Sequence, residues 1–229
     1  MAGTERLSLD KLNKHEFPLI NSLDREQQDM VAKLYKNQRI FVDSVAGSGK
    51  TTVTTQAMNA LLKKGLIDRL YYVVFPVQEK SLGFLPGEVS DKIKEYAVPF
   101  MQALQSADVN TQHLNYEMMT NEFVNYDYKI APHTFMRGRT FSNVGIIIDE
   151  AQNATKDELK KVLTRIDDSC YIAITGHNGQ IDIAKGTSGF AEYIHHFKQG
   201  KQSGIYPNIE FANLTHNYRG AFSSFADQL

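Results

Sequence analysis

Along most of the chain, short apolar runs alternate with stretches whose apolar positions recur every three or four residues. The runs at 40–42, 70–75, 144–148 and 171–175 are apolar nearly throughout, and 209–214, with Glu210 and Asn213 inside it, reads as a last strand. That is the pattern of strands covered on both faces. A shorter candidate strand lies at 128–130. Helical spacing occurs at 24–35 (Met30, Val31, Leu34, with Asp24 as N-cap) and at 52–62 (Val53, Ala57, Ala60, Leu61). It recurs at 89–104 (Ile93, Tyr96, Ala97, Phe100, Leu104), where Pro99 predicts a kink or a break. Further helices are expected at 115–124, at 155–165 with Thr155 as cap, at 188–197 and at the C-terminal end. The whole predicts an α/β fold, a central, mostly parallel sheet flanked by helices. Residues 1–22 are mixed and polar and read as an N-terminal arm that packs late or frays, leaving 23–229 as one domain. The loop at 81–87 (SLGFLPG) is too apolar for a solvated turn, so it is expected to cover a site or meet another subunit.

Between the first strand and its helix lies Ser44-Val45-Ala46-Gly47-Ser48-Gly49-Lys50-Thr51-Thr52. Strand, glycine turn, helix is the context of a phosphate-binding loop. Gly47 and Gly49 let backbone N–H groups turn inward, and the following helix aims its N-terminal donors at the same anion. Lys50 is placed to reach β- and γ-phosphates, and the Thr51 hydroxyl to sit on Mg²⁺. The usual first glycine of such loops is Ser44 here, a small residue that still permits a tight turn.

The second signal is the apolar strand at 144–148 running into Asp149 and Glu150. Ligands of open α/β sheets bind at the strands' C-terminal ends. With a phosphate loop upstream, Asp149 reads as the Walker B acid of the Mg²⁺ shell and Glu150 as the group that orients or deprotonates water. The adjacent Glu also suggests P-loop ATPases with an extra strand between the Walker A and Walker B strands. Gln180, in the polar turn after the strand at 171–175, could report a γ-phosphate. Gln27 could read adenine, since its amide donates and accepts, although a solvated glutamine is the plainer reading of the residue alone. Arg137 and Arg139 fit either surface charge or forked donors for phosphate or a neighbouring carboxylate. Arg219 fits either a structural arginine or an arginine finger. His195 and His196 have no ligand partners at zinc spacing.

Composition changes this picture little. The 229 residues are 42% hydrophobic and 22% charged, with net charge −1, so no basic face follows from the totals. Cys170 is the one cysteine, which fits a reducing cytoplasm. No apolar run approaches the ~20 residues of a membrane span, and the N-terminus has no signal-peptide core.

Several stretches resemble PhoH-like proteins, the phosphate-starvation-associated ATPases of bacteria and phages: LGFLPGEVSDKI (82–93), KIAPHTFMRGRTFSNVGIIIDEAQNAT (129–155) and TGHNGQIDI (175–183). That family is similar in turn to the first RecA-like domain of superfamily 1 helicases. LDREQQDMV (23–31) looks like their adenine-reading motif and points to Gln27; DEAQ (149–152) looks like motif II, Gln180 matches motif III, and NYR (217–219) resembles the arginine-finger motif. The resemblance implies a RecA-like P-loop NTPase that binds ATP and Mg²⁺. It also implies a homo-oligomeric ring, such as a hexamer, handling RNA or single-stranded DNA in the cytoplasm of a bacterium or phage-infected cell. The expected parts are Lys50, Glu150, Gln180 and Arg219 for catalysis, Thr51 and Asp149 for metal, and residues 44–52 with Gln27 for nucleotide. His177 stands where the family has an acid, and there is no room for a second RecA-like domain, so the arginine comes from the same chain or from a neighbour (Arg137, Arg139 or Arg219). A nucleotide-gated binding module with little turnover is the alternative. A small-molecule kinase is disfavoured by the helicase-like order of DEAQ and Gln180.

Overall fold

The computed structural model describes residues 6–75, 89–116, 127–184 and 186–226. Seven strands form one sheet: β1 (Arg39–Ser44), β2 (Leu70–Val74), β3 (Asn115–Tyr116), β4 (Tyr128–Pro132), β5 (Gly145–Ile148), β6 (Tyr171–Gly176) and β7 (Glu210–Leu214). Their order is β3-β4-β2-β5-β6-β1-β7 and every pairing is parallel. β6 therefore separates the phosphate-loop strand β1 from the acidic strand β5, as the Asp149-Glu150 pair predicts. All strands point the same way, so the ends of β1, β5 and β6 open on one edge of the sheet.

The strand residues alternate between two apolar layers, as a two-residue period requires. Ile40, Val42 and Ile147 face a layer made with α1 (Arg25–Asn37), α2 (Lys50–Lys63) and α3 (Val89–Gln105). Phe41, Ile146 and Ile148 face a layer made with α4 (Lys156–Leu163) and α5 (Phe190–Gln202). A short helix α6 (Ala221–Ala226) follows β7. Capping boxes at Asp24/Gln27 and Thr155/Glu158 start α1 and α4, each satisfying otherwise orphaned N–H groups.

α3 continues through Pro99 without a break, because Ala97 and Phe100 are fully buried in the layer shared with α2 and packing outweighs the lost bond. The helix expected at 115–124 is replaced at its start by β3; residues 117–126 and the apolar loop at 81–87 lie outside the described residues. The described part of the arm packs. Phe17 is fully buried with Leu7 and Leu23 in the first layer, and the Leu19 N–H donates to Gln56 Oε1 at 3.1 Å. Its polar composition hides one anchoring aromatic. Among the described residues no helix is long and apolar enough to cross a membrane.

Candidate nucleotide site

The phosphate loop leaves β1 and enters α2 through two left-handed residues, Gly47 (φ 72°) and Gly49 (φ 75°). Ser44 is not left-handed, so a side chain costs nothing there. Its hydroxyl donates to the Gly176 carbonyl at 3.3 Å, tying the end of β1 to β6. The departure from glycine is thus a cross-link between strand ends. Val45 N–H donates to the Leu214 carbonyl, Ala46 is buried, and Ser48 Oγ is buried without a partner, an orphaned polar atom inside the cradle. Lys50, Thr51 and Thr52 open α2, whose first N–H groups have no helical acceptor.

Asp149 is the hub. Its Oδ2 accepts from Thr51 Oγ1 at 2.6 Å and from the Tyr72 hydroxyl at 3.0 Å. Its Oδ1 accepts from Thr175 Oγ1 at 2.6 Å and from Glu150 N–H at 3.0 Å. One buried carboxylate thereby ties together α2, β2, β5 and β6. Tyr72 lies stacked on Phe100. Burial and then the Asp149 charge raise its phenol pKa far above the ordinary value, so it remains a donor. Thr51 Oγ1 and the Asp149 carboxylate are hard oxygen donors 2.6 Å apart, the donor type Mg²⁺ takes.

Glu150 is left-handed (φ 50°), a conformation a non-glycine residue keeps only where its surroundings impose it. That turn carries its carboxylate to Lys50: Nζ to Oε1 is 2.7 Å, and Gln152 Nε2 donates to Oε2 at 2.6 Å. Burial opposes the Lys50 charge, but Asp149 and Glu150 outweigh it and hold the pKa above the ordinary lysine value; Arg219 pushes against them. Lys50 is only 14% exposed and Glu150 51%, so the acid is the wet member of the pair. Gln152 Oε1 accepts from His177 N–H at 3.0 Å. Position 177 thus enters through its backbone, a contact open to any residue there.

The chain after β7 closes over the loop. Tyr218 N–H donates to the Gly47 carbonyl at 3.0 Å and Arg219 N–H to Asn217 Oδ1 at 2.8 Å. A Cβ on Gly47 would lie 2.5 Å from Asn217 Oδ1 and 2.6 Å from Arg219 Cγ. Arg219 therefore packs on its own chain's phosphate loop. Gln27 is buried with both amide ends engaged: Oε1 accepts from Asp24 N–H, and Nε2 donates to the Ser48 carbonyl at 3.0 Å. Each end keeps one further donor or acceptor site, so these bonds orient the amide.

The structure thus gathers Lys50, Thr51, Asp149, Glu150 and Arg219 at one edge. Gln180 follows β6, between β5 and β1, on an exposed turn where its N–H donates to the His177 carbonyl. Arg137 and Arg139 are exposed beyond the 3₁₀ turn that follows β4. β4 itself lies four strand spacings from β1, about 19 Å across the sheet. Tyr72 and Thr175 escaped sequence reasoning because each looks like ordinary strand material. A hydroxyl at the last position of an apolar run was the available signal at Thr175.

The PhoH-like protein family profile matches residues 19–217. Protein PhoH of Escherichia coli K12 is 31% identical over 209 residues, 90% of this chain and 57% of that protein. The PhoH-like protein of Bacillus subtilis is 36% identical over 167 residues, 72% of this chain and 50% of that protein. The chain thus spans little more than half the length of these relatives. Among solved structures, the UvsW helicase of bacteriophage T4 superposes with a TM-score of 0.52 at 10% identity, over 83% of this chain and 59% of that one, a likeness of fold. With this profile, these relatives and a phosphate loop facing an acidic strand end, the chain belongs to the PhoH-like protein family.

Proposed function

We propose that the chain binds and hydrolyses ATP with Mg²⁺ at the edge formed by β1, β5 and β6. The observation that carries this reading is the convergence of Lys50, Glu150, Thr51 and Asp149, with Lys50 Nζ 2.7 Å from Glu150 and Thr51 Oγ1 2.6 Å from Asp149. Thr51 and Asp149 would hold Mg²⁺, which when bound neutralises charge on the terminal phosphates. Lys50, kept charged by its carboxylate neighbours, binds the β- and γ-phosphates. A γ-phosphate arriving at Lys50 competes with Glu150 for the ammonium and frees that carboxylate to orient water. Glu150 is already half exposed, as a group that must meet water should be. Arg219 serves the transferring phosphoryl group from the same chain, and Gln180 senses its presence. The helicase fold likeness, together with the exposed Arg137 and Arg139, favours coupling to RNA or single-stranded DNA, in an oligomer.

The test is steady-state phosphate release with and without RNA, beside equilibrium binding of a fluorescent ATP analogue. Glu150→Gln should keep nucleotide bound and lose turnover by about 100-fold or more. Wild-type turnover in that variant would remove Glu150 from the role, and no binding by the wild-type protein would remove the site.

A further inference from the structure

One turn of α1 reaches both the phosphate loop and the segment that carries Arg219. Glu26 accepts from both the N–H and the hydroxyl of Thr215, each at 2.6 Å. Asp24 divides its carboxylate: Oδ1 accepts the Gln27 N–H of the helix cap at 2.7 Å, and Oδ2 accepts the Tyr218 hydroxyl. Gln27 then holds the Ser48 carbonyl. Helical geometry places such neighbours on one end of a helix while they diverge in direction. These contacts join positions nearly two hundred residues apart, where Thr215, Tyr218 and Arg219 are exposed and little apolar packing could order them. His216, stacked edge-on against Tyr218, is the remaining titratable group of the cluster.

We infer that Asp24 and Glu26 are positioning residues that latch the 215–219 strap to α1 and so hold Arg219 over Gly47. Neither touches the phosphate cradle directly: Glu26 acts through Thr215, and Asp24 through Tyr218 and, by way of the Gln27 cap, through Ser48. The inference rests on the reading of Arg219 as a group that serves the transferred phosphate. It also makes the first turn of α1 a holder of the arginine as well as of the loop.

The experiment compares Glu26→Ala, Thr215→Val and Arg219→Ala, singly and with Arg219→Ala added to each of the other two. Three readouts are taken: turnover, binding of a fluorescent ATP analogue with Mg²⁺, and amide hydrogen exchange over 215–219. Glu26→Ala should lower kcat about tenfold or more while changing nucleotide affinity less than about threefold, since orientation rather than binding is lost. It should speed exchange at the Tyr218 amide, and adding it to Arg219→Ala should bring no further loss. Thr215→Val, which removes one donor at an exposed site without threatening the fold, should shift the same readouts by less. Multiplicative losses in the double variant, or unchanged kcat in Glu26→Ala, would overturn the latch. If the wild-type protein shows no turnover, the hydrolase reading fails by itself. The latch is then judged by exchange alone, and unchanged protection at Tyr218 in Glu26→Ala would sink it.

Discussion

Gly47→Ala and Gly49→Ala make a matched pair. Both glycines are left-handed by nearly the same angle, 72° and 75°. A Cβ at either position therefore carries the same backbone cost, about 1–2 kcal/mol. At Gly49 the nearest atom to that Cβ is Gln27 Nε2 at 3.3 Å, the end of a flexible side chain. At Gly47 it meets Asn217 Oδ1 at 2.5 Å and Arg219 Cγ at 2.6 Å, roughly 1 Å inside ordinary contact. Asn217 Oδ1 is held by the Arg219 N–H, so the strap must retreat as a unit. A displacement of that size at a group serving the reaction costs on the order of 100-fold in rate. Both variants should melt earlier than the wild-type protein by similar amounts, because the shared term is the left-handed one. Gly47→Ala should then turn over ATP about 100-fold more slowly than Gly49→Ala at saturating nucleotide. Phosphate release and thermal melting, run side by side, decide it. Equal turnover in two variants that both bind nucleotide would refute the idea that the strap's seat on Gly47 matters.

Other outcomes follow from the same contacts. Tyr72→Phe removes a buried donor from the Asp149 carboxylate and should cost about 1–3 kcal/mol in urea denaturation, while Thr175→Val at the opposite oxygen should cost a similar amount. Phe17→Ala should cost about 3–5 kcal/mol, as for any aromatic removed from a core; a loss under about 1 kcal/mol would mean that the N-terminal stretch is not part of it. For Asp24, burial raises the carboxyl pKa, but the Gln27 N–H and the Tyr218 hydroxyl lower it more, and His216 adds to them; for Glu26 the bonds from Thr215 lower it. Groups whose pKa falls on folding add stability above their ordinary range and lose it as pH drops through the folded value. The strap should therefore stay protected from exchange between pH 5 and 8, within about twofold of the intrinsic rate change, and open below about pH 4.

The layered α/β core was legible because buried parallel strands are written as unbroken apolar runs. The runs at 40–42, 70–75, 144–148 and 171–175 all became strands of the expected kind. The sites of Lys50, Thr51, Asp149 and Glu150 were legible for a related reason: a phosphate loop and a strand ending in acids are local patterns. What escaped was long-range polar complementarity. Nothing near Tyr72 announces that its hydroxyl meets Asp149, and nothing near Thr215 announces Glu26, 189 positions away. Gln27 shows the same limit. Its type and place suit adenine, and the fold adds what the sequence does not announce: its amide completes a helix cap and holds the Ser48 carbonyl. Pro99 does not end α3, because a rule about local backbone yields to burial of Ala97 and Phe100 on either side.

On our proposal, Arg219 serves the phosphate site of its own chain. The direct test mixes two impaired variants, Lys50→Ala and Arg219→Ala, and follows phosphate release from ATP against the wild-type protein. If the arginine works within one chain, the wild-type protein turns over ATP and the mixture is no faster than the sum of its parts. If activity returns on mixing, an intact arginine on one subunit is serving an intact loop on another, and Arg219 does not act within its own chain.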